Sequence, residues 1–324
     1  MKTRAVVSVE HGKPLVIEEL DLPDPGPTHV IVKQFATGIC HSQIHQIHRA
    51  DSVRPMVLGH ESTGVVVAKG REVTHLKEGD RALLIFVRRA VKEGQPDPSP
   101  WPVQYRGRPV RHGDRGATGV FTWADTTIAD EQYVVRLPDD DVAMDVTAIV
   151  GCAVMTGCGA VIHSAKVRPG DSVAVIGAGG VGLCVLQTAA NMGAHPVIAV
   201  DLSDPKLAFA KRFGASVGVN GAREDAVQRI IELTNGGADF VFDAIGLARS
   251  RCSRPPGPAS MDTATAGWRC WWACPTGPRP LSMSGTCSRA RCSEALPAAP
   301  AGPTATCPCS SAGSRKAGSP STSW

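Results

Sequence analysis

The stretch Ser172 to Asp201, SVAVIGAGGVGLCVLQTAANMGAHPVIAVD, restricts the fold of this chain more than any other. Val173 to Ile176 is a short, continuously apolar run, as a strand buried on both faces would be. Gly177-Ala178-Gly179-Gly180-Val181-Gly182 then fits G-x-G-x-x-G, Leu183 to Met192 reads as a helix stopped at Gly193, and Pro196 to Val200 reads as a second strand running into Asp201. Gly177 permits a tight turn, Gly179 lets a pyrophosphate approach the backbone, and Gly182 lets helix and strand pack closely. Gly180 and Val181 stand where free N–H groups at a helix start would meet phosphate oxygens. Asp201 follows Gly177 by 24 residues, near the spacing of about 20 found for an acid that binds ribose. A carboxylate there accepts hydrogen bonds from a 2′-hydroxyl and repels a 2′-phosphate, so NAD is favoured over NADP. A glycine-rich turn without ligand is the weaker alternative, because strand, helix, second strand and acid stand in order.

The rest of the 324 residues is ample for a second domain with its own core. No apolar run reaches the length of a membrane span, and the N-terminus lacks the long apolar core of a signal peptide. A reduced, cytoplasmic setting is the default expectation. The net charge of +4 is uneven: nine Lys/Arg and two acids lie from Arg249 onward, leaving 25 basic against 28 acidic residues before it. A basic surface for nucleic acid is therefore not a property of the folded body.

Residues 2–40 alternate as strands do, over Ala5 to Val9, Leu15 to Glu19 and His29 to Phe35, broken by Gly/Pro turns. His41 to Arg49 suits a short helix; Ser62 to Ala68, Arg81 to Phe86 and Gln132 to Arg136 suit strands. Arg88 to Gly119 reads as a long surface loop, and Asp145 to Ser164 as one buried helix crossing to the second domain. Beyond Asp201 come a helix from Asp204 to Phe213, a strand at Val217 to Val219, a helix from Arg223 to Leu233 and a strand at Asp239 to Asp243.

Three more motifs stand at Gly38-Ile39-Cys40-His41-Ser42, Gly59-His60-Glu61 and Gly151-Cys152-Ala153-Val154-Met155-Thr156-Gly157. With the glycine turn, in this order, they resemble the zinc-containing alcohol dehydrogenases of the medium-chain dehydrogenase/reductase superfamily. The resemblance covers about residues 1–248. It implies an α/β chain: a β-rich, GroES-like catalytic domain over 1–147, then a doubly wound, Rossmann-type parallel-sheet domain over 148–248, the latter incomplete. Cys40, His60 and Cys152 would supply two soft thiolates and an imidazole, three protein ligands with a fourth position open for a catalytic Zn2+ acting as a Lewis acid. Spacing alone does not select these three; taken singly, each reads as a buried cysteine or a core histidine.

Residue by residue, the resemblance implies that Ser42 takes the substrate proton, His45 passes it to solvent, and Glu61 lies behind the zinc. It puts His41 on the pyrophosphate, Thr156 beside the nicotinamide and Lys206 near the adenosine ribose. A solvated helix residue is an equal reading of Lys206. Gln43 stands where the family usually has an aspartate orienting the zinc-bound imidazole, which weakens that support. No cysteine lies between Cys40 and Cys152, so one catalytic ion and no structural zinc are expected. The implied activity is hydride transfer between NAD and a small-molecule alcohol or its aldehyde or ketone, by a homo-oligomer with neither nucleic acid nor membrane as partner. The alternatives are a zinc-independent reductase of the quinone reductase kind, or an inactive nucleotide- and zinc-binding remnant.

From Ser250 onward there is no Val, Ile, Phe, Tyr, His, Asn or Gln. Such a segment buries too little apolar area to offset its ordering entropy, so disorder without strands is the expectation for 249–324. The composition suits a GC-rich message read out of frame. On this reading Asp239 to Asp243 is left as an open apolar edge, the nicotinamide wall is incomplete, and the chain as written is weakly active or inactive.

Overall fold

A computed structural model describes residues 1–89, 102–113, 119–138 and 143–245, and the backbone of 269–274 and 277–282. The first part of the chain is antiparallel except where Met56–Val57 pairs in parallel with Arg111–His112. Strands β1 (Lys2–Ser8), β2 (Val16–Asp21) and β3 (His29–Thr37) precede helix α1 (His41–His48). Then come β4 (Met56–Val57), β5 (Ser62–Lys69), β6 (Arg81–Leu84), β7 (Gln104–Tyr105), β8 (Arg108–Pro109), β9 (Arg111–His112), β10 (Thr126–Asp130) and β11 (Val134–Arg136). They make one sheet in the order β8-β7-β2-β1-β4-β9 and a second in the order β10-β3-β5-β6-β11. Val7, Leu20, Ile31, Phe121 and Ile128 fill one core of this part, and Val30, Val32, Leu84 and Val134 another.

Strand β10 has no counterpart among the sequence expectations. Its sequence, TTIAD, looks polar, yet every residue is buried. The hydroxyl of Thr3 explains this: it donates to the Thr126 carbonyl at 3.0 Å and accepts from the Thr126 N–H at 2.9 Å. Asp130 accepts from the Thr28 hydroxyl at 2.7 Å. These bonds offset part of the cost of burying polar groups here, although the Thr127 hydroxyl is buried with no partner among the described residues.

Two short helices, α2 (Met144–Thr147) and α3 (Ala153–Gly159), replace the single helix expected over Asp145 to Ser164. A 3₁₀ turn over Ala148–Gly151 joins them, and a wider π-type turn, Ala160–Ala165, follows. The path bends by 51° at Cys152, whose φ of −135° and ψ of −75° are not helical. Gly151 is the physical reason: a Cβ there would lie 2.4 Å from the Leu84 carbonyl oxygen, so the chain crosses β6 too closely for a side chain. Apolar composition suggested a helix but could not show this crossing. Among the described residues no single helix is long and apolar enough to cross a membrane.

The second part is wound as its sequence suggests. Strands β12 (Val173–Ile176), β13 (Val197–Asp201), β14 (Val217–Asn220) and β15 (Phe240–Asp243) are parallel, in the order β14-β13-β12-β15. Helices α4 (Gly180–Asn191), α5 (Asp204–Ala210) and α6 (Ala226–Leu233) connect them. Val173, Val175, Val197, Ala199, Phe240 and Phe242 point into one core, and Ala174, Ile176, Ile198, Val200 and Val219 into the other. This two-sided burial makes the sequence of each strand continuously apolar.

Beyond β15 the structure corrects the sequence reading. Strands β16 (Arg269–Cys274) and β17 (Gly277–Ser282) lie within the segment expected to have none. β16 pairs antiparallel with β15, placing Phe240 opposite Trp272 and Val241 opposite Trp271, and β17 pairs antiparallel with β16. The edge of β15 is therefore covered, and the sheet has six strands rather than four. Backbone N–H and C=O groups along an open edge accept a partner with little regard to its side-chain pattern. The expected surface loop over Arg88 to Gly119 is corrected in its described part: β7, β8 and β9 join the first sheet, and Val103, Tyr105 and Val110 are buried in its core. The other residues of the tail, and 90–101 and 114–118, lie outside the described residues.

Candidate metal and dinucleotide site

Cys40 ends the loop after β3 and begins α1; His60 and Glu61 directly precede β5; Cys152 occupies the break between α2 and α3. One ligand atom from each of these four residues falls within 4.8 Å of the others. The His60 Nε2 lies 3.2 Å from the Cys152 Sγ, and the two sulfurs are 3.7 Å apart. Residues 112 positions apart in sequence thus converge on a space the size of one ion. His60, Glu61 and Cys152 are buried.

The electrostatics suit a cation. The Cys152 thiol donates to the Cys40 sulfur, and this, with help from His60, holds Cys40 far below the usual thiol range, at about 3. The same hydrogen bond and then burial push Cys152 up, so the two sulfurs share one proton. Burial, augmented by the Cys40 charge and opposed by His60, raises the Glu61 carboxyl to about 7. Its Oε2 is buried with no hydrogen-bond partner, a donor atom awaiting a positive group. These sulfur, imidazole and carboxylate donors fit zinc.

The surroundings fix the ligands. Gln43, 1% exposed, places its Nε2 2.6 Å from the His60 Nδ1 and accepts from the Cys40 N–H at 3.1 Å. The Glu61 carbonyl accepts from the Thr37 hydroxyl at 2.9 Å, and the Trp123 indole donates to the Gly38 carbonyl at 3.1 Å. Phe86 sets its ring edge-on to His60 with centroids 5.4 Å apart. Thr37, Trp123 and Phe86 escaped sequence reasoning, since nothing in their local pattern marks them.

Helix α1 carries the remaining catalytic-domain candidates. Ser42 Oγ is buried beside the Cys40 thiol, whose pKa it helps to lower, whereas His41 and His45 are exposed, their rings 4.9 Å apart edge to face. Arg54 secures the other end of this helix. Its guanidinium donates to the Gln46, Ile47 and Arg49 carbonyls at 3.2, 2.9 and 3.1 Å, and to the Ser8 hydroxyl at 3.1 Å. Arg54→Met leaves these acceptors unpaired, and we expect a loss of about 2–3 kcal/mol in urea unfolding. Unchanged stability would show that α1 is held by its core contacts alone.

On the other side, Gly177 has φ +97°, which favours glycine, and a Cβ on Gly182 would sit 1.8 Å from the Gly177 carbonyl oxygen. A Cβ on Gly179 would meet nothing within 4 Å. That open space lies at the start of α4, where free N–H groups of Gly180 and Val181 favour an anion. The Asp201 carboxylate accepts from the Ala178 N–H at 2.9 Å and from the Ser203 N–H at 3.1 Å, with the Lys206 ammonium 3.9 Å away. Asp201 and Lys206 thus flank the turn together. Thr156 lies on α3, its N–H bonded to the Cys152 carbonyl at 2.9 Å. Helices α3 and α4 meet at Gly157, where a Cβ would be 2.6 Å from the Cys184 Cβ; one on Gly180 would be 3.9 Å from the Ala153 Cβ. Cys152 and the glycine turn are therefore neighbours.

A sulfur-rich cluster beside a glycine turn of the dinucleotide-binding kind suits a metal-binding oxidoreductase. Comparison with known proteins agrees. The family model for the alcohol dehydrogenase GroES-like domain matches residues 26–139, and that for zinc-binding dehydrogenase matches residues 180–251. An S-(hydroxymethyl)glutathione dehydrogenase of Escherichia coli is 33% identical over 293 residues, spanning 83% of this chain and 76% of the relative. The benzyl alcohol dehydrogenase of Acinetobacter calcoaceticus superposes with a TM-score of 0.68 at 28% identity, covering 76% of this chain and 71% of its own. An alcohol dehydrogenase zinc-binding domain protein of Burkholderia ambifaria gives 0.69 at 29%, with the same coverage. The chain belongs to the zinc-containing alcohol dehydrogenase family of the medium-chain dehydrogenase/reductase superfamily.

Proposed function

We propose that this protein transfers a hydride between an alcohol, or its aldehyde or ketone, and NAD, with one zinc ion held by Cys40, His60 and Cys152. The observation that carries this reading is the convergence of those three ligand atoms within 4.8 Å of one another, with Cys152 at the start of a helix that packs against the one following the glycine turn. Bound there, zinc supplies Lewis acidity toward a substrate oxygen. The Ser42 hydroxyl, buried beside Cys40, accepts the substrate proton, and His45, three residues along the exposed side of α1, passes it to water. An imidazole, which can both accept and donate a proton, suits that relay. His41 donates to the pyrophosphate, which rests on the Gly179–Gly182 turn; Asp201 and Lys206 orient the adenosine ribose, and Thr156 contacts the nicotinamide. Glu61 balances charge behind the ligands. The free thiols of Cys40 and Cys152 suit a reduced, cytoplasmic setting.

The test is NADH formation by the full-length protein with primary, benzylic and hydroxymethyl-thiol alcohols, beside zinc analysis. About one ion per chain with NAD-linked turnover is the expected result; turnover without metal would favour the zinc-independent reductase. Asp201→Asn keeps an acceptor but loses the charge. A charged hydrogen bond contributes about 1.5–3 kcal/mol, so its preference for NAD over NADP should narrow at least tenfold or so in kcat/KM. An unaltered ratio would remove Asp201 from cofactor choice.

One observation favours a second reading, an inactive binding remnant. After β15 the sheet continues with an antiparallel hairpin, whereas a parallel sheet would bring further strand ends to the nicotinamide side. Binding of NAD and zinc without turnover would select it.

A further inference from the structure

We infer that Gln43 cannot serve both of its buried partners when His60 binds a metal through Nε2, so that metal loading sacrifices one of its two hydrogen bonds. The argument is a count of donors and acceptors. Cys40 N–H donates to the Gln43 Oε1 at 3.1 Å, which fixes that end of the amide as the acceptor. The other end, Nε2, carries only donors and lies 2.6 Å from the His60 Nδ1. Nδ1 must then be the bare, accepting nitrogen of the imidazole, and the ring proton stands on Nε2. That nitrogen faces the Cys152 Sγ at 3.2 Å. Hydrogen bonds thus run without a break from the Cys40 backbone through Gln43 and His60 to Cys152.

The tautomer in this circuit is the wrong one for ligation. Nε2 faces the other ligand atoms and can hold an ion only after giving up its proton, which must move to Nδ1. Nδ1–H then meets the Gln43 Nε2–H₂, donor against donor. If the amide turns to offer Oε1 to His60, Nε2 meets the Cys40 N–H, donor against donor again. Gln43 is 1% exposed, so water has little access to relieve either clash. A carboxylate in this place has two accepting oxygens and serves both partners at once. Gln43 is thus a positioning residue whose orientation couples the start of α1 to the state of the metal centre.

Two measurements on the full-length protein test this. Long-range proton–nitrogen spectra of the zinc-free protein, with His60 assigned through His60→Gln, should show the Nε2–H tautomer. The isosteric variant Gln43→Glu should show Nδ1–H and should bind zinc about 10- to 100-fold more tightly in chelator competition, the usual reach of a residue behind a metal ligand. Nδ1–H in the zinc-free wild type, or a Gln43→Glu affinity no tighter than wild type, would overturn the inference. The affinity arm rests on Cys40, His60 and Cys152 being the ligands; the tautomer does not, and it decides the matter even if Gln43→Glu fails to fold. Zinc binding by neither protein would sink the metal reading and leave the tautomer to judge this one.

Discussion

Cys152→Ala should empty the metal site: zinc falls from about one ion per chain to less than roughly a tenth after dialysis, because two protein ligands replace three. Any zinc-dependent turnover should fall at least about a thousandfold, since Lewis-acid stabilisation of a developing charge contributes several kcal/mol and about 4 kcal/mol is that factor. The fold should survive. The side chain is small, the loss of one buried sulfur costs about 1 kcal/mol, and the non-helical backbone at this position has negative φ, which alanine tolerates. Cys158→Ala is the control. Its sulfur accepts from the Thr188 hydroxyl at 3.1 Å, on the seam between α3 and α4, and it has no part in the ligand set. That variant should keep its zinc. Retention of zinc by Cys152→Ala would remove Cys152 from the metal site and with it the convergence on which the proposed chemistry stands.

The two halves of this site were legible in the sequence to different degrees. The dinucleotide half is local. Strand, turn and helix follow one another, and each glycine answers a steric demand that its neighbours in sequence create, so Val173 to Gly182 could be read directly. Asp201 is also close in sequence, and its bond to the Ala178 N–H closes the turn. The metal half is not local. Cys40, His60 and Cys152 come from three separate elements, and only resemblance to a family selected them. No periodicity could have found the break at Cys152, because its cause is the Leu84 carbonyl, 67 positions before Gly151 in the chain. Gln43 was legible as a departure from the family but not as a conflict. Its two hydrogen bonds became visible only once Cys40 and His60 stood on either side of it. The hairpin after β15 escaped altogether, since a backbone edge selects its partner through N–H and C=O groups that every residue carries.

The glycine turn offers a sharper test, because two of its glycines are small for opposite reasons. Gly182 is small for the protein: an added Cβ would lie 1.8 Å from the Gly177 carbonyl oxygen, which is backbone and cannot swing aside. Gly182→Ala must push α4 away from β12, and overpacking of this kind costs about 3 kcal/mol. For a unit of this size that is a fall of roughly 6–12 °C in Tm. Gly179 is small for a ligand. Its φ of −86° and ψ of −172° are open to any residue, and a Cβ there meets no protein atom within 4 Å. Gly179→Ala should therefore unfold within about 2 °C of wild type when no cofactor is present. With NAD at a hundred times its Kd the wild type gains about 2.7 kcal/mol, whereas this variant should gain almost nothing, its methyl group occupying the pyrophosphate's place. A Gly179→Ala protein that NAD stabilises as it does the wild type would mean that no phosphate rests on this turn. Equal stability of the two variants without cofactor would mean that the helix does not pack on the turn as closely as described.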